Sequence, residues 1–121
     1  MSPTRKKIES LEGIRLTGSC CLICGWNKKD DEGNLLLDGS HVRAFDNQSE
    51  YDNKNNIIGL CPNHHREFDS GNIGIDYKNG ICIHLNEKDE FHMKKLIGHL
   101  KHIQVGFLDY HNKRKFKGRI E

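Results

Sequence analysis

A chain of 121 residues suffices for one ordinary domain with a single modest core, which excludes a multidomain machine. With 35% hydrophobic against 30% charged residues it has no long apolar run, and nothing approaches the roughly twenty residues that a bilayer crossing takes. The net charge of +2 hides an uneven distribution: residues 1–15 carry +2 and residues 113–121 carry +4, which leaves −4 on the middle.

Basic ends on an acidic middle suit an anionic polymer held by peripheral arms around carboxylates kept for metal chemistry, although a pair of solvated tails gives the same pattern. Arg5, Lys6, Lys7 and Glu9 interrupt any secretory leader, so a cytoplasmic protein with no membrane partner is expected.

In chain order, Thr4 is placed to cap a helix over residues 5–12, with Ile8 and Leu11 on one face and Gly13 as its stop. A turn around the cysteines at 18–26 and a polar loop at 27–34 lead to a strand over 35–42. The polar stretch 43–55 is a long excursion of the kind that often carries function. A second short strand over 56–60 precedes Pro62, a good first residue for a helix running to Ser70, and Gly71 ends it. Ile73, Ile75 and Tyr77, the turn pair Asn79-Gly80, and Ile81, Ile83 and Leu85 spell a β-hairpin. Phe91, Leu96, Leu100, Ile103 and Phe107 then recur at helical spacing and predict one long or two consecutive helices over 88–110.

Five cysteines and eight histidines in a reducing compartment read as metal binding before disulfides. Cys21 and Cys24 are separated by two residues, and Cys61 and His64 repeat that interval, so two knuckles can bring four ligands around one tetrahedral Zn²⁺. Four protein ligands leave no place for water, which makes this ion structural. Cys20 is a rival with a less usual interval to Cys24 and is placed outside the ligand set; Cys82 belongs to the hairpin core. His65, about 100° further round the helix than His64, points elsewhere, and Asp69 lies four residues on along the same face. That pair can hold a hard cation, Mg²⁺ or Mn²⁺, with positions left for phosphate, while a carboxylate near a helix end can equally bond backbone or Arg66. His41, at the end of the first strand, is placed to stand opposite. His99 and His102 read as surface residues, and His84, His92 and His111 carry no assignment.

The stretches Asp38-Gly39-Ser40-His41-Val42-Arg43, Asn56-Ile57-Ile58-Gly59-Leu60-Cys61-Pro62-Asn63-His64-His65 and Phe68-Asp69-Ser70-Gly71 resemble the HNH, or ββα-metal, endonucleases of restriction enzymes, colicins and phage or homing nucleases. The resemblance covers residues 20–75, with His41, Asn56 and His65 as its three letters. The zinc-knuckle branch commonly shows Cys-x-x-Cys-His at the helix, so His64 stands where that branch has a second cysteine. The implied fold is α+β: a ββα-metal motif with a structural zinc site, then a β-hairpin and a C-terminal helix. The whole of 1–121 reads as one nuclease domain with its core motif at 20–75, a hairpin and helical region at 73–111 and a basic tail at 112–121.

The resemblance implies phosphodiester hydrolysis at one divalent cation, leaving 5′-phosphate and 3′-hydroxyl ends. An imidazole with an ordinary pKa near 6.5 suits His41 to the role of general base. A cation on His65 and Asp69 would neutralise charge on the scissile phosphate. Asn56 either bonds the backbone around His41 or joins the metal shell. Many members carry Asp or His just before the base, where this chain has Ser40; the cation shell is expected to lean on Asp69 and water, or on Asp38. Arg43 and Arg66 flank the site and can clamp phosphate or simply be solvated. Lys113, Arg114 and Lys115, with Lys117, Arg119 and Phe116, can follow a DNA backbone or form a disordered tail.

The reading is therefore a DNA endonuclease of restriction, defence or phage biology, with a homodimer able to cut both strands. A non-catalytic zinc-knuckle DNA-binding or adaptor protein is the alternative, which Ser40 favours, and an RNA-directed nuclease is a third.

Overall fold

Two short strands joined by a long loop carry the centre of the molecule. In the computed structural model, which describes residues 7–44 and 48–120, β1 (Asp38–His41) runs antiparallel to β2 (Ile57–Leu60), with Asp38 opposite Leu60 and His41 opposite Ile57. β2 is buried along its whole length, and α2 (Pro62–Asp69) follows it after one residue, which completes the ββα unit expected from the sequence. β1 is shorter than 35–42 because Leu35 pairs instead with Lys29 in an isolated bridge. The loop after β1 contains 3₁₀ turns at Ser49–Tyr51 and Lys54–Asn56.

The first helix, α1, spans Lys7–Thr17 and runs straight through Gly13, where a stop was expected. The reason is contact: a Cβ on Gly13 would lie 2.6 Å from Ile57 Cγ2, so glycine lets the helix press directly on β2. Gly13, Ile14 and Thr17 form the buried face, whereas Ile8 and Leu11 are 81% and 56% exposed. Thr17 Oγ1 donates to the Gly13 carbonyl and accepts from Gly59 N–H, tying helix to strand. The expected cap Thr4 lies outside the described residues.

α2 begins with Cys61 as its cap and Pro62 in its first turn, and stops at Gly71, whose φ of +88° a side chain would strain. The hairpin follows as expected, β3 (Ile73–Asp76) antiparallel to β4 (Ile81–His84), with Cys82 in the core. The helix expected over 88–110 is not there. Residues 85–104 form an irregular strap whose amides bond to other segments: Cys82 N–H donates to the Lys94 carbonyl, Ile97 N–H to the Leu22 carbonyl and His99 N–H to the Thr17 carbonyl. Phe91, Leu96 and Leu100 still pack on the core, so burial matched the sequence pattern while its period misled. Only α3 (Val105–Tyr110) is α-helical, and it continues as one π turn over His111–Lys115. Among the described residues no helix is long and apolar enough to cross a membrane.

The basic C-terminal stretch is docked rather than trailing. Phe116 is buried, Lys117 N–H donates to the Gly71 carbonyl at 2.9 Å, and Asn112 bonds both the N–H and the carbonyl of Ile75. His102, expected at the surface, is half-buried with Nε2 donating to the Ile57 carbonyl at 2.9 Å.

His111 holds this segment against α2. Its ring stacks on Phe68 at 3.9 Å with 3° between planes, and Nε2 donates to the Ile73 carbonyl at 2.7 Å. Burial holds its pKa below the ordinary value against the pull of that carbonyl. A histidine depressed in the folded state takes up its proton first in the unfolded chain, so its contribution is complete above about pH 6.5 and declines as the pH falls below it. Denaturant midpoints measured at pH 7.5 and 5.5 are expected to fall less steeply in His111→Phe than in the parent chain; equal slopes would refute this.

Candidate active site and metal centre

Two knuckles meet beside the start of α2. In the first, Cys21 N–H donates to the Trp26 carbonyl and Gly25 N–H to the Cys21 carbonyl, which turns both thiols inward. In the second, Cys61 caps α2 and its Sγ accepts from His64 N–H at 3.4 Å. The metal-binding atoms of Cys21, Cys24, Cys61 and His64 all lie within 4.8 Å of one another. Cys24 and Cys61 sulfurs are 3.9 Å apart, and His64 Nδ1 is 3.6 Å from Cys21 Sγ and 3.3 Å from Cys61 Sγ. Tetrahedral zinc, with bonds of about 2.3 Å to sulfur and about 2.0 Å to nitrogen, separates its sulfurs by about 3.8 Å and sulfur from nitrogen by about 3.5 Å. The residues fit that ion. Cys20 lies outside the cluster, as expected.

The charge balance of the cluster also suits a dication. Burial opposes ionisation of Cys21, yet bonds from His64 and neighbouring backbone amides bring its thiol down to about 6. Burial pushes Cys24 up to about 12, and the Cys21 thiolate adds to that rise. The pocket thus accepts one thiolate readily and resists a second until positive charge enters.

A second constellation lies on the other side of α2. Bonds to Asp69 and Asp38 raise the pKa of His65 against burial: Nε2 is 3.2 Å from Asp69 Oδ2 and Nδ1 is 2.9 Å from Asp38 Oδ2. Partial burial works to raise Asp69, but its bond to His65 and the nearby Lys115 hold it below the usual carboxylate range. Asp38 is thus the carboxylate from β1 that reaches His65. Ser40 is fully buried, with no hydrogen-bond partner for its Oγ among the described residues.

His41 Nε2 lies 2.9 Å from Oδ1 of Asp52, which is itself 1% exposed. A carboxylate only accepts, so this contact puts the ring proton on Nε2 and the lone pair on Nδ1. Asn56 fixes the loop that makes the contact. Its Oδ1 accepts from Arg43 N–H at 2.9 Å, and its Nδ2 donates to the carbonyls of Arg43 and Tyr51 at 2.9 and 2.8 Å. With both amide ends committed to backbone in a fully buried position, Asn56 is a loop pin and not a metal ligand.

His41 and Asp69 line one cavity of about 150 Å³ with Tyr110, His111, Arg114 and Lys115. His65 does not line this cavity; it stands behind Asp69, with Nε2 3.2 Å from Asp69 Oδ2. Arg43 does not face it as an open clamp; its guanidinium lies between Tyr51 and Tyr110, 4.4 and 3.9 Å from the ring centroids. Arg66 is exposed on α2 away from the cleft, and Lys113 faces a separate depression beside the β3–β4 turn. Sequence reasoning missed Asp52, Tyr110 and His111: ten residues of loop separate His41 from Asp52, and the other two arrive from the far end of the chain.

Glu67, His84 and Asp89 also converge. His84 Nδ1 accepts from Asn86 N–H at 2.9 Å, so its proton sits on Nε2 and points to Glu67 at 2.9 Å. That trio is a hydrogen-bond hub tying α2 to the strap.

The sequence model of the HNH endonuclease family matches residues 21–76, a span that holds both knuckles, His41, Asn56 and His65. A search of curated proteins finds no match. Among solved structures the chain is similar to a modification-dependent TagI restriction endonuclease, with a TM-score of 0.70 and 24% identity over 96% of this chain. The present chain spans 40% of that protein's length. Over residues 21–76 the chain is thus similar to HNH endonucleases, and over 96% of its length it shares the fold of that restriction enzyme.

Proposed function

We propose that this chain is a metal-dependent DNA endonuclease in which His41 is the general base. The observation that supports it best is the shared cleft: His41, held by the buried Asp52, faces the same cavity as Asp69, which is bonded to His65. Nδ1 of His41 takes a proton from water as the water oxygen forms its bond to phosphorus, and the bond from phosphorus to the 3′ oxygen breaks. The departing oxygen takes a proton from solvent, so the products are a 5′-phosphate and a 3′-hydroxyl. A hard divalent cation, Mg²⁺ or Mn²⁺, bound at His65 with Asp69 or Asp38 supplies neutralisation of charge on the phosphate and on the departing oxygen. The chain contributes the carboxylates that draw such an ion and the imidazole that orients them. Cys21, Cys24, Cys61 and His64 hold structural zinc. Similarity to a modification-dependent restriction enzyme favours a defence role in which target selection lies with the partner of this domain, in the same chain or another.

Supercoiled plasmid incubated with the protein and Mg²⁺ or Mn²⁺ separates this reading from a non-catalytic zinc-knuckle adaptor. Conversion to nicked circles supports the nuclease; retention of intact plasmid in both metals supports the adaptor. Structured RNA in the same assay distinguishes the RNA-directed form.

Asp52→Asn is expected to lower the nicking rate about 10²-fold, the scale of a displaced catalytic group, because the near-isosteric amide removes the charge that fixes the His41 tautomer. DNA affinity is expected to hold, since Asp52 is buried. An unchanged rate would remove Asp52 from the mechanism.

A further inference from the structure

We propose that Arg114 and Lys115 form a phosphate-binding subsite that grips the scissile phosphodiester itself, rather than a basic arm lying along the flanking DNA backbone. This deepens the nuclease reading and rests on it. Both side chains line the cavity that contains His41 and Asp69, placing two cations against one carboxylate around the space where the reacting phosphate sits. Among the described residues neither has a carboxylate within ion-pair distance.

Their placement is built, not incidental. His111, stacked on Phe68, and the buried Phe116 bracket the two residues, and Phe116 N–H donates to the His111 carbonyl at 2.8 Å across the π turn. Lys117 N–H anchors the exit to Gly71, directly beyond α2. The π turn that closes α3 delivers these consecutive side chains to the rim of the cleft. A guanidinium fork and an ammonium close to a phosphate gain most when charge builds on its equatorial oxygens, so they act on the step as well as on binding.

Single-turnover nicking of supercoiled plasmid at saturating protein concentration tests this. Arg114→Gln and Lys115→Gln are each expected to lower the rate at saturation by about 10- to 100-fold, with melting temperatures unchanged because both residues are exposed. Lys78→Gln, which removes an equal charge at the exposed β3–β4 turn, is expected to retain the parent rate. Recovery of the full rate in Arg114→Gln and Lys115→Gln once protein is saturating would assign them to backbone affinity and overturn the proposal. An equal loss in Lys78→Gln would do so too, by making net charge the cause. If the parent chain nicks nothing in either metal, the nuclease reading has failed, a result distinct from both.

Discussion

Stripping the metal from the Cys21, Cys24, Cys61 and His64 cluster with a strong chelator is expected to unfold the protein, and Cys61→Ser is expected to do the same without chelator. Structural zinc sites contribute apparent binding energies of about 10–16 kcal/mol, which matches or exceeds the about 5–15 kcal/mol by which a typical domain is stable. The cluster joins two distant parts of the chain, the knuckle at Cys21–Cys24 and the start of α2, and Cys61 is at once ligand and helix cap. Loss of the far-ultraviolet circular dichroism signal together with release of one zinc per chain is the expected pair of readings. A chelated protein that keeps its melting temperature would show the cluster to be dispensable.

His41→Ala is expected to reduce nicking by about 10²–10⁴-fold, the usual contribution of a positioned general base, or about 3–5 kcal/mol of barrier. Zinc content and melting temperature are expected to stay near those of the parent, since Asn56 and not His41 carries the backbone of the loop. The distinction from Asp52→Asn is quantitative: losing the base costs more than losing the group that orients it. A His41→Ala protein whose rate falls only because it melts at a lower temperature would point to a structural histidine instead.

What the sequence disclosed about the site is what lies within a few residues of itself. The intervals Cys21 to Cys24, Cys61 to His64 and His65 to Asp69 are short enough for backbone geometry alone to set their directions, and all three groups form as expected. The ββα unit and the hairpin were legible for the same reason: Pro62, Gly71 and Asn79-Gly80 mark boundaries by local conformational preference.

The remainder depends on tertiary placement. Asp52 reaches His41 only because the loop folds through two 3₁₀ turns pinned by Asn56, and no residue interval encodes that. Between residues 88 and 104 the apolar residues do go to the core, but the backbone partners are Leu22, Thr17 and the hairpin, which a periodicity argument cannot see. Leu11 shows the converse, an apolar residue at helical spacing left 56% exposed because the close approach at Gly13 turns another face inward. Arg114 and Lys115 looked like part of a tail because charge carries no address; Phe116 and His111, flanking them, supply it.

Chemical rescue measures the central claim most directly. If an imidazole at position 41 accepts the proton of the attacking water, free imidazole added to His41→Ala restores nicking, and the restored rate rises with the concentration of its neutral form. A His41→Ala protein that nicks at the parent rate without added imidazole contradicts the account.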